Sequence, residues 1–270
     1  SKVVCFIAKQ QAGVTQVLGV SHQLSKGVKG GLITDIAEAE MSILSTIHAA
    51  EEMAGVQVDE ITVGVSLPQM QSRHVRIELV LGPTGVDDRA LADVIHEGRA
   101  TVDPEEYLLH CVPFSYTLDN HKGIGDPRGM IGEKLIADLL LVTAPRNLIR
   151  NLTHCFSRCH LAVKQFVAAP YVAALACIQS DEKDLGVMLL DLGGTTTGYC
   201  VFQNGRLTWV GCVPAGGNHI SQDIAHGLNT SLQTAERLKT VYGSTIVSST
   251  DDQTMVEVPL LGEEDEEDSN

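Results

Sequence analysis

The segment Asp191-Leu192-Gly193-Gly194-Thr195-Thr196-Thr197-Gly198 constrains the fold of this chain more than any other stretch. Apolar, strand-like Gly186–Leu190 precedes it. Tyr199–Phe202, the turn Gln203-Asn204-Gly205 and Arg206–Val210 follow. The pattern predicts a buried strand ending in an aspartate, a turn of glycines and threonines, and a returning β-hairpin. Glycines at such a turn let backbone N–H groups approach an anion closely. Threonine hydroxyls add donors, so Gly193, Gly194, Thr195 and Thr196 are candidate phosphate contacts. Asp191 is the candidate catalytic residue: it can hold Mg²⁺ through water and orient an attacking water. A plain hairpin closed by glycines fits the same residues, so context decides.

An internal echo supplies that context. After the Asp191 turn come two hairpin strands, then Ala215-Gly216-Gly217, then a helix from Asn218 to about Gly227. The N-terminal region repeats the order. Strands Lys2–Ala8 and Gln16–Leu24 meet through Gln11-Ala12-Gly13, Gly30-Gly31 follows in a glycine-rich link, and a helix runs from about Asp35 to Gly55. Asp35 with Glu38 forms a capping pair and Gly55 a stop. Ile36, Ala39, Ile43, Ile47, Ala50 and Ala54 recur at three and four as one apolar stripe. A duplicated ββ(Gly-Gly)α unit with a phosphate turn in each half suits a two-lobed nucleotide clamp. The first copy's turn is expected upstream of Ser1.

Two more groups fall near such a clamp. Gly216, Gly217 and Asn218 open a helix, and bare N–H groups there suit an anion or a ribose edge; an ordinary glycine-rich cap fits equally. The next helix, Ser231–Tyr242, is capped by Thr230 or Ser231 and stopped by Gly243. Its Glu236 and Lys239 project together. A carboxylate suits ribose hydroxyls and a lysine stem packs on a purine, while a solvated surface ion pair is the competing reading.

Between Leu67 and Thr143 the chain changes character. His74–Leu81 alternates as a half-exposed strand, Asp87–Ala100 reads as a helix, and Leu108–Leu118 and Leu135–Val142 read as strands. Gly123–Gly129 is an exposed loop between them. Strand, helix, strand, strand in this span suits a small α+β insertion. Ile61–Ser66 and Val163–Ala168 are further strands. Pro145 starts a helix at N1, and Pro170–Gln179 is a helix.

Composition narrows the class. The chain has 270 residues and a net charge of −15, which argues against a non-specific nucleic-acid binder. The run Glu263–Asp268 reads as a solvated, disordered tail. No apolar run is long enough to span a bilayer, and no signal peptide opens the chain. The longest run, Leu139–Val142, reads as one buried strand. Seven cysteines without framework spacing suit reduced thiols in a cytosolic protein. His154-Cys155 and Cys159-His160 could approach a metal, but Asn147–His160 is amphipathic with Cys155 and Cys159 on its apolar side. They are expected in the core.

Together these pieces resemble the actin/Hsp70/sugar-kinase superfamily and, within it, the FtsA family of bacterial cell-division proteins. The resemblance rests on five stretches. Ser1-Lys2-Val3 matches the end of a D-x-G-T-[SA]-K turn, Gly27–Asp35 a glycine-rich stretch, and Asp191–Thr195 the second phosphate turn. Pro214–Ala225 matches P-x-x-G-N-x-x-[ST]-x-D-[IL]-A, and Thr234–Lys239 the A-E-x-[IL]-K helix; Asn218, Asp223, Glu236 and Lys239 fall on matching positions. The resemblance implies an α/β, actin-like fold of duplicated ribonuclease H-like domains with an inserted small α+β subdomain. It implies a division into residues 1–66 and 144–181 (subdomain 1A), 67–143 (inserted subdomain 1C), 182–228 (part of 2A) and 229–270 (the start of 2B with the acidic tail). It implies an ATP- and Mg²⁺-binding scaffold, at most a slow ATPase, that polymerises with itself and anchors the FtsZ ring to the inner membrane. Later division proteins would be recruited through residues 67–143. The expected location is the cytoplasmic face of the inner membrane at the division site, reached through an amphipathic helix beyond Asn270. No nucleic acid is expected as a partner. The alternatives are a sugar-type kinase or a PilM- or Hsp70-like ATPase of the same superfamily. No carboxylate base of a kinase stands out between Leu67 and Thr143, and the chain has no room for a chaperone's peptide domain.

Overall fold

A computed structural model describes all residues except 1, 84, 247, 250–252, 254 and 262–270. Ser1 and the Glu263–Asp268 run therefore lie outside the described residues. The chain divides into two compact units, residues 1–191 with 196–214 and residues 192–195 with 215–270.

The first unit opens with β1 (Lys2–Gln11) and β2 (Val14–Leu24), an antiparallel hairpin turning on Ala12 and Gly13 at positive φ. The glycine-rich link is itself a small hairpin of β3 (Val28–Lys29) and β4 (Leu32–Ile33), turned by Gly30 and Gly31. Helix α1 (Ile36–Ala54) starts where the Asp35 carboxylate accepts from the N–H groups of Ala37 and Glu38, and ends on Gly55 at φ 68°. Its stripe of Ala39, Ile43, Ile47 and Ala50 is buried. The β1–β2 hairpin lies so close to α1 that a Cβ on Gly19 would come 2.2 Å from the Ala50 carbonyl oxygen.

After β5 (Glu60–Val65) come β6 (Gln71–Val80), α2 (Asp88–Ala100), β7 (Glu106–Leu118), β8 (His121–Ile124) and β9 (Lys134–Pro145). Four of these strands form one antiparallel sheet in the order β6-β9-β7-β8. Strand β9 lies inside this sheet and feeds two cores. Leu135, Ala137 and Leu139 pack under α2 with Val94 and Leu91. Leu140, Val142 and Ala144 face the opposite way, toward Phe166 and Ile149. Burial on both faces explains why this strand reads as a continuous apolar run. Strand β8 was not expected; its His121-Lys122-Gly123 carries no apolar signal, and pairing with the long β7 draws it into the sheet.

Helix α3 (Arg146–Arg158) begins one residue after Pro145, which is the cap and the last residue of β9 rather than N1. Cys155 and Cys159 are buried with Ile43 and Phe156, the core role expected of them. Strand β10 (Ala162–Ala168) pairs in parallel with β5. Helix α4 (Ala169–Cys177) is followed by a short α5 (Ser180–Leu185) that its charged sequence did not reveal.

Strands β11 (Val187–Leu192), β12 (Thr197–Gln203) and β13 (Arg206–Val213) form a three-stranded sheet in that order. β12 and β13 turn on Asn204 and Gly205, both at positive φ. Strand β11 is not the buried strand expected: Met188, Leu190 and Leu192 are exposed, because it lies at the sheet edge with one face uncovered. β13 is tied to β6 by Ser72, whose hydroxyl donates to the Val210 carbonyl (2.6 Å) and accepts from the Val210 N–H (3.0 Å).

The second unit contains α6 (Gly217–Leu228) and α7 (Leu232–Tyr242). The Ser231 hydroxyl caps α7 by accepting from the Thr234 N–H. The Leu261 N–H donates to the Asn229 carbonyl and the Thr230 hydroxyl to the Pro259 carbonyl, which anchors the segment after α7. Among the described residues no helix is long and apolar enough to cross a membrane.

Candidate functional site

In the second unit two glycine turns lock together. The Gly217 N–H donates to the Gly193 carbonyl (3.0 Å) and the Asn218 N–H to the Gly194 carbonyl (2.7 Å). A Cβ on Gly216 would stand 2.5 Å from the Gly193 oxygen and 2.7 Å from the Gly194 carbonyl carbon. That approach requires glycine at 216, and the reason is contact between two backbones. The expectation of bare N–H groups at the start of α6 is corrected here: two of them are engaged by the carbonyls of Gly193 and Gly194. The Gly216 N–H faces Nδ1 of His219 at 3.1 Å, a local cap one turn into the helix.

Glu236 and Lys239 reach the same helix start from α7. Lys239 Nζ donates to Glu236 Oε2 (2.7 Å), to Ser221 Oγ (2.8 Å) and to the Gly217 carbonyl (3.1 Å). The Ser221 hydroxyl in turn donates to Glu236 Oε2. The pair is therefore not a free surface ion pair. A lysine at a helix N-terminus opposes the helix dipole, and Glu236 offsets that cost. Lys239 above all, and then Ser221, hold the Glu236 carboxyl below its ordinary pKa by hydrogen bonding. The lysine side chain is 23% exposed and the glutamate 51%.

Asp191 and Thr196 belong to the first unit. Asp191 is exposed near the end of β11, and Thr196 is half-buried just before β12. Beside them on β13 lies Cys212, 7% exposed. Burial raises its thiol pKa, a hydrogen bond with the Thr196 side chain lowers it, and the Asp191 charge raises it. Neither Ser221 nor Cys212 was among the expected site residues. Ser221 had one readable signal, its place four residues after Gly217 on the same helical face. Cys212 had none, because its nearness to Thr196 comes from strand pairing.

Among the described residues no group of three or more His, Cys, Asp or Glu could hold a metal ion. A single carboxylate such as Asp191 still suits Mg²⁺, which keeps several waters and shares phosphate oxygens when a nucleotide is present. Glu236 presents a half-exposed carboxylate, while Lys239 Nζ spends its three protons on Glu236, Ser221 and the Gly217 carbonyl.

Two family models match the chain. Residues 188–270 match "Cell division protein FtsA" and residues 68–143 match the "SHS2 domain inserted in FTSA". The FtsA of Rhizobium meliloti strain 1021 is 36% identical over 277 residues, covering 98% of this chain and 63% of the relative. The FtsA of Neisseria meningitidis serogroup B is 30% identical, covering 97% of this chain and 64% of the relative. The chain thus spans less than two thirds of the length of these relatives. Among solved structures, a chain of the PilM–PilN type IV pilus biogenesis complex superposes with a TM-score of 0.66 at 15% identity, over 90% of this chain and 67% of that one. The fold is the expected α/β, actin-like one with an inserted small α+β subdomain.

Proposed function

The chain belongs to the FtsA family, and from that premise we propose that it forms the nucleotide-binding, actin-like part of a cell-division scaffold. The observation that carries this reading is the cluster at the start of α6. Interlocked glycine turns, an anchored lysine and a half-exposed carboxylate converge there. In the proposal Gly193, Gly194, Thr195 and Thr196 contact the phosphates, and Gly216, Gly217 and Asn218, whose N–H groups are already engaged, hold the start of α6 against that turn. Glu236 takes the ribose hydroxyls, and the Lys239 stem supports the base. Mg²⁺ bound with the nucleotide would supply charge neutralisation of the phosphates, held by Asp191 through water. Asp191 would orient the attacking water in a slow hydrolysis.

The proposed scaffold polymerises with ATP bound and links the FtsZ ring to the inner membrane. Residues 67–143 serve as the docking surface for later division proteins. The proposed division is 1–66 with 144–181, 67–143, 182–228 and 229–270.

The test is filament formation by the protein with and without Mg-ATP, compared with Asp191→Ala. The mutant is expected to lose the nucleotide dependence. Normal nucleotide-dependent filaments from the mutant would count against the phosphate role. Phosphorylation of a sugar at kinase rates of about 1–100 s⁻¹ would replace the scaffold reading with a kinase.

A further inference from the structure

Ser221 is 1% exposed, and its hydroxyl has one proton to give. The Glu236 carboxylate is a stronger acceptor than the Gly217 carbonyl 3.2 Å away, so the proton goes to Glu236 Oε2. A lone pair of the same hydroxyl accepts from Lys239 Nζ at 2.8 Å. Lys239 uses its other two protons on Oε2 and on the Gly217 carbonyl. Both donors therefore converge on one carboxylate oxygen. Glu236 Oε1 has no hydrogen-bond partner among the described residues, and the side chain is half exposed.

We propose that Ser221 is a positioning residue that pins Glu236 Oε2 and thereby presents Oε1 as a fixed acceptor for the sugar hydroxyls of a nucleotide. The proposal rests on the nucleotide reading above. Lysine alone would not fix the carboxylate, because an ammonium on a flexible stem is a point charge without directional preference. A hydroxyl rooted in the first turns of α6 and shielded from water supplies the direction. It also ties the carboxylate on α7 to the helix whose start meets the Gly193-Gly194 turn.

The experiment compares the protein with Ser221→Ala and Ser221→Thr, the second keeping the hydroxyl. ATP, 2′-deoxy-ATP and 3′-deoxy-ATP are titrated against each. The unmodified protein is expected to prefer ATP over at least one deoxy analogue. Ser221→Ala should lower ATP affinity by about tenfold, the scale of one charge-assisted hydrogen bond, and bring it level with that analogue. Ser221→Thr should keep the preference. In parallel, NMR titration of the Glu236 carboxyl in the ligand-free protein should show its pKa rising in Ser221→Ala and not in Ser221→Thr.

An intact preference for ATP in Ser221→Ala would overturn the proposal. So would an unmoved Glu236 titration, or an equal loss for all three nucleotides. An unmodified protein that binds none of the three would overturn the nucleotide reading itself. The carboxyl titration would then still decide whether Ser221 positions Glu236.

Discussion

Gly216→Ala tests the interlocking of the two glycine turns. Gly216 has an extended backbone, φ −166°, so alanine meets no intrinsic backbone penalty and any effect comes from packing. Its Cβ would begin 2.5 Å from the Gly193 oxygen. Ordinary contact lies roughly 0.9 Å further out, and a separation of that size takes the 3.0 Å bond from Gly217 to Gly193 beyond hydrogen-bond range. Overpacking costs about 1–3 kcal/mol and each lost bond about 0.5–1.5 kcal/mol, so the local structure should weaken by about 2–4 kcal/mol. Amide hydrogen exchange reads this directly. Gly217 and Asn218 should exchange at least roughly 30-fold faster. Gly227→Ala is the control, since a Cβ there meets nothing within 4 Å and the position is helical. It should leave both amides protected and stabilise α6 by about 0.5–1 kcal/mol. Unchanged exchange at 217 and 218 in Gly216→Ala would refute the packing argument.

His110 should give the fold an acid-sensitive anchor. Its Nε2 accepts from the Ala168 N–H at 2.8 Å, which requires the neutral ring, and burial lowers its pKa to about 4. The stability this contributes is fully present above the unfolded value near 6.5 and is lost as pH falls toward 4; with partial solvent access it amounts to about 2 kcal/mol. Urea unfolding across that window should show the loss, and His110→Gln should flatten this part of the profile; an identical profile in the variant would remove the assignment. Thiol titration should find Cys177, which is exposed, reacting first. Cys159 and Cys200, whose pKa values burial raises to about 11, should react only on unfolding; early modification of either would contradict their burial. Leu140→Ala should cost about 2–5 kcal/mol by urea denaturation because the side chain is fully enclosed. A loss below about 1 kcal/mol would mean that the β9 core is loose.

Much of the fold is legible in the chain because its signals are local. Asp35 and Gly55 mark the ends of α1 by their own chemistry, and Ser231 and Gly243 do so for α7. Leu139–Val142 shows as a buried strand because both faces of β9 are covered. Strand β8 and helix α5 are not legible, since neither carries an apolar pattern and neighbouring elements recruit them. The exposure of β11 is not legible either, because an apolar run does not report whether one of its faces is covered.

The site divides in the same way. Spacing made Asp191, the glycine pairs, Glu236 and Lys239 candidates beside plainer readings, because turns and helix faces follow from residues a few positions apart, and the family resemblance chose between them. Only the tertiary structure brings Gly193 and Gly194 onto Gly217 and Asn218, engaging amides that looked free. Only the packing of α6 against α7 makes buried Ser221 the hub of the Glu236–Lys239 pair. Those contacts join residues separated by 15 or more positions. Local pattern cannot encode them, because they depend on which faces of separate elements meet.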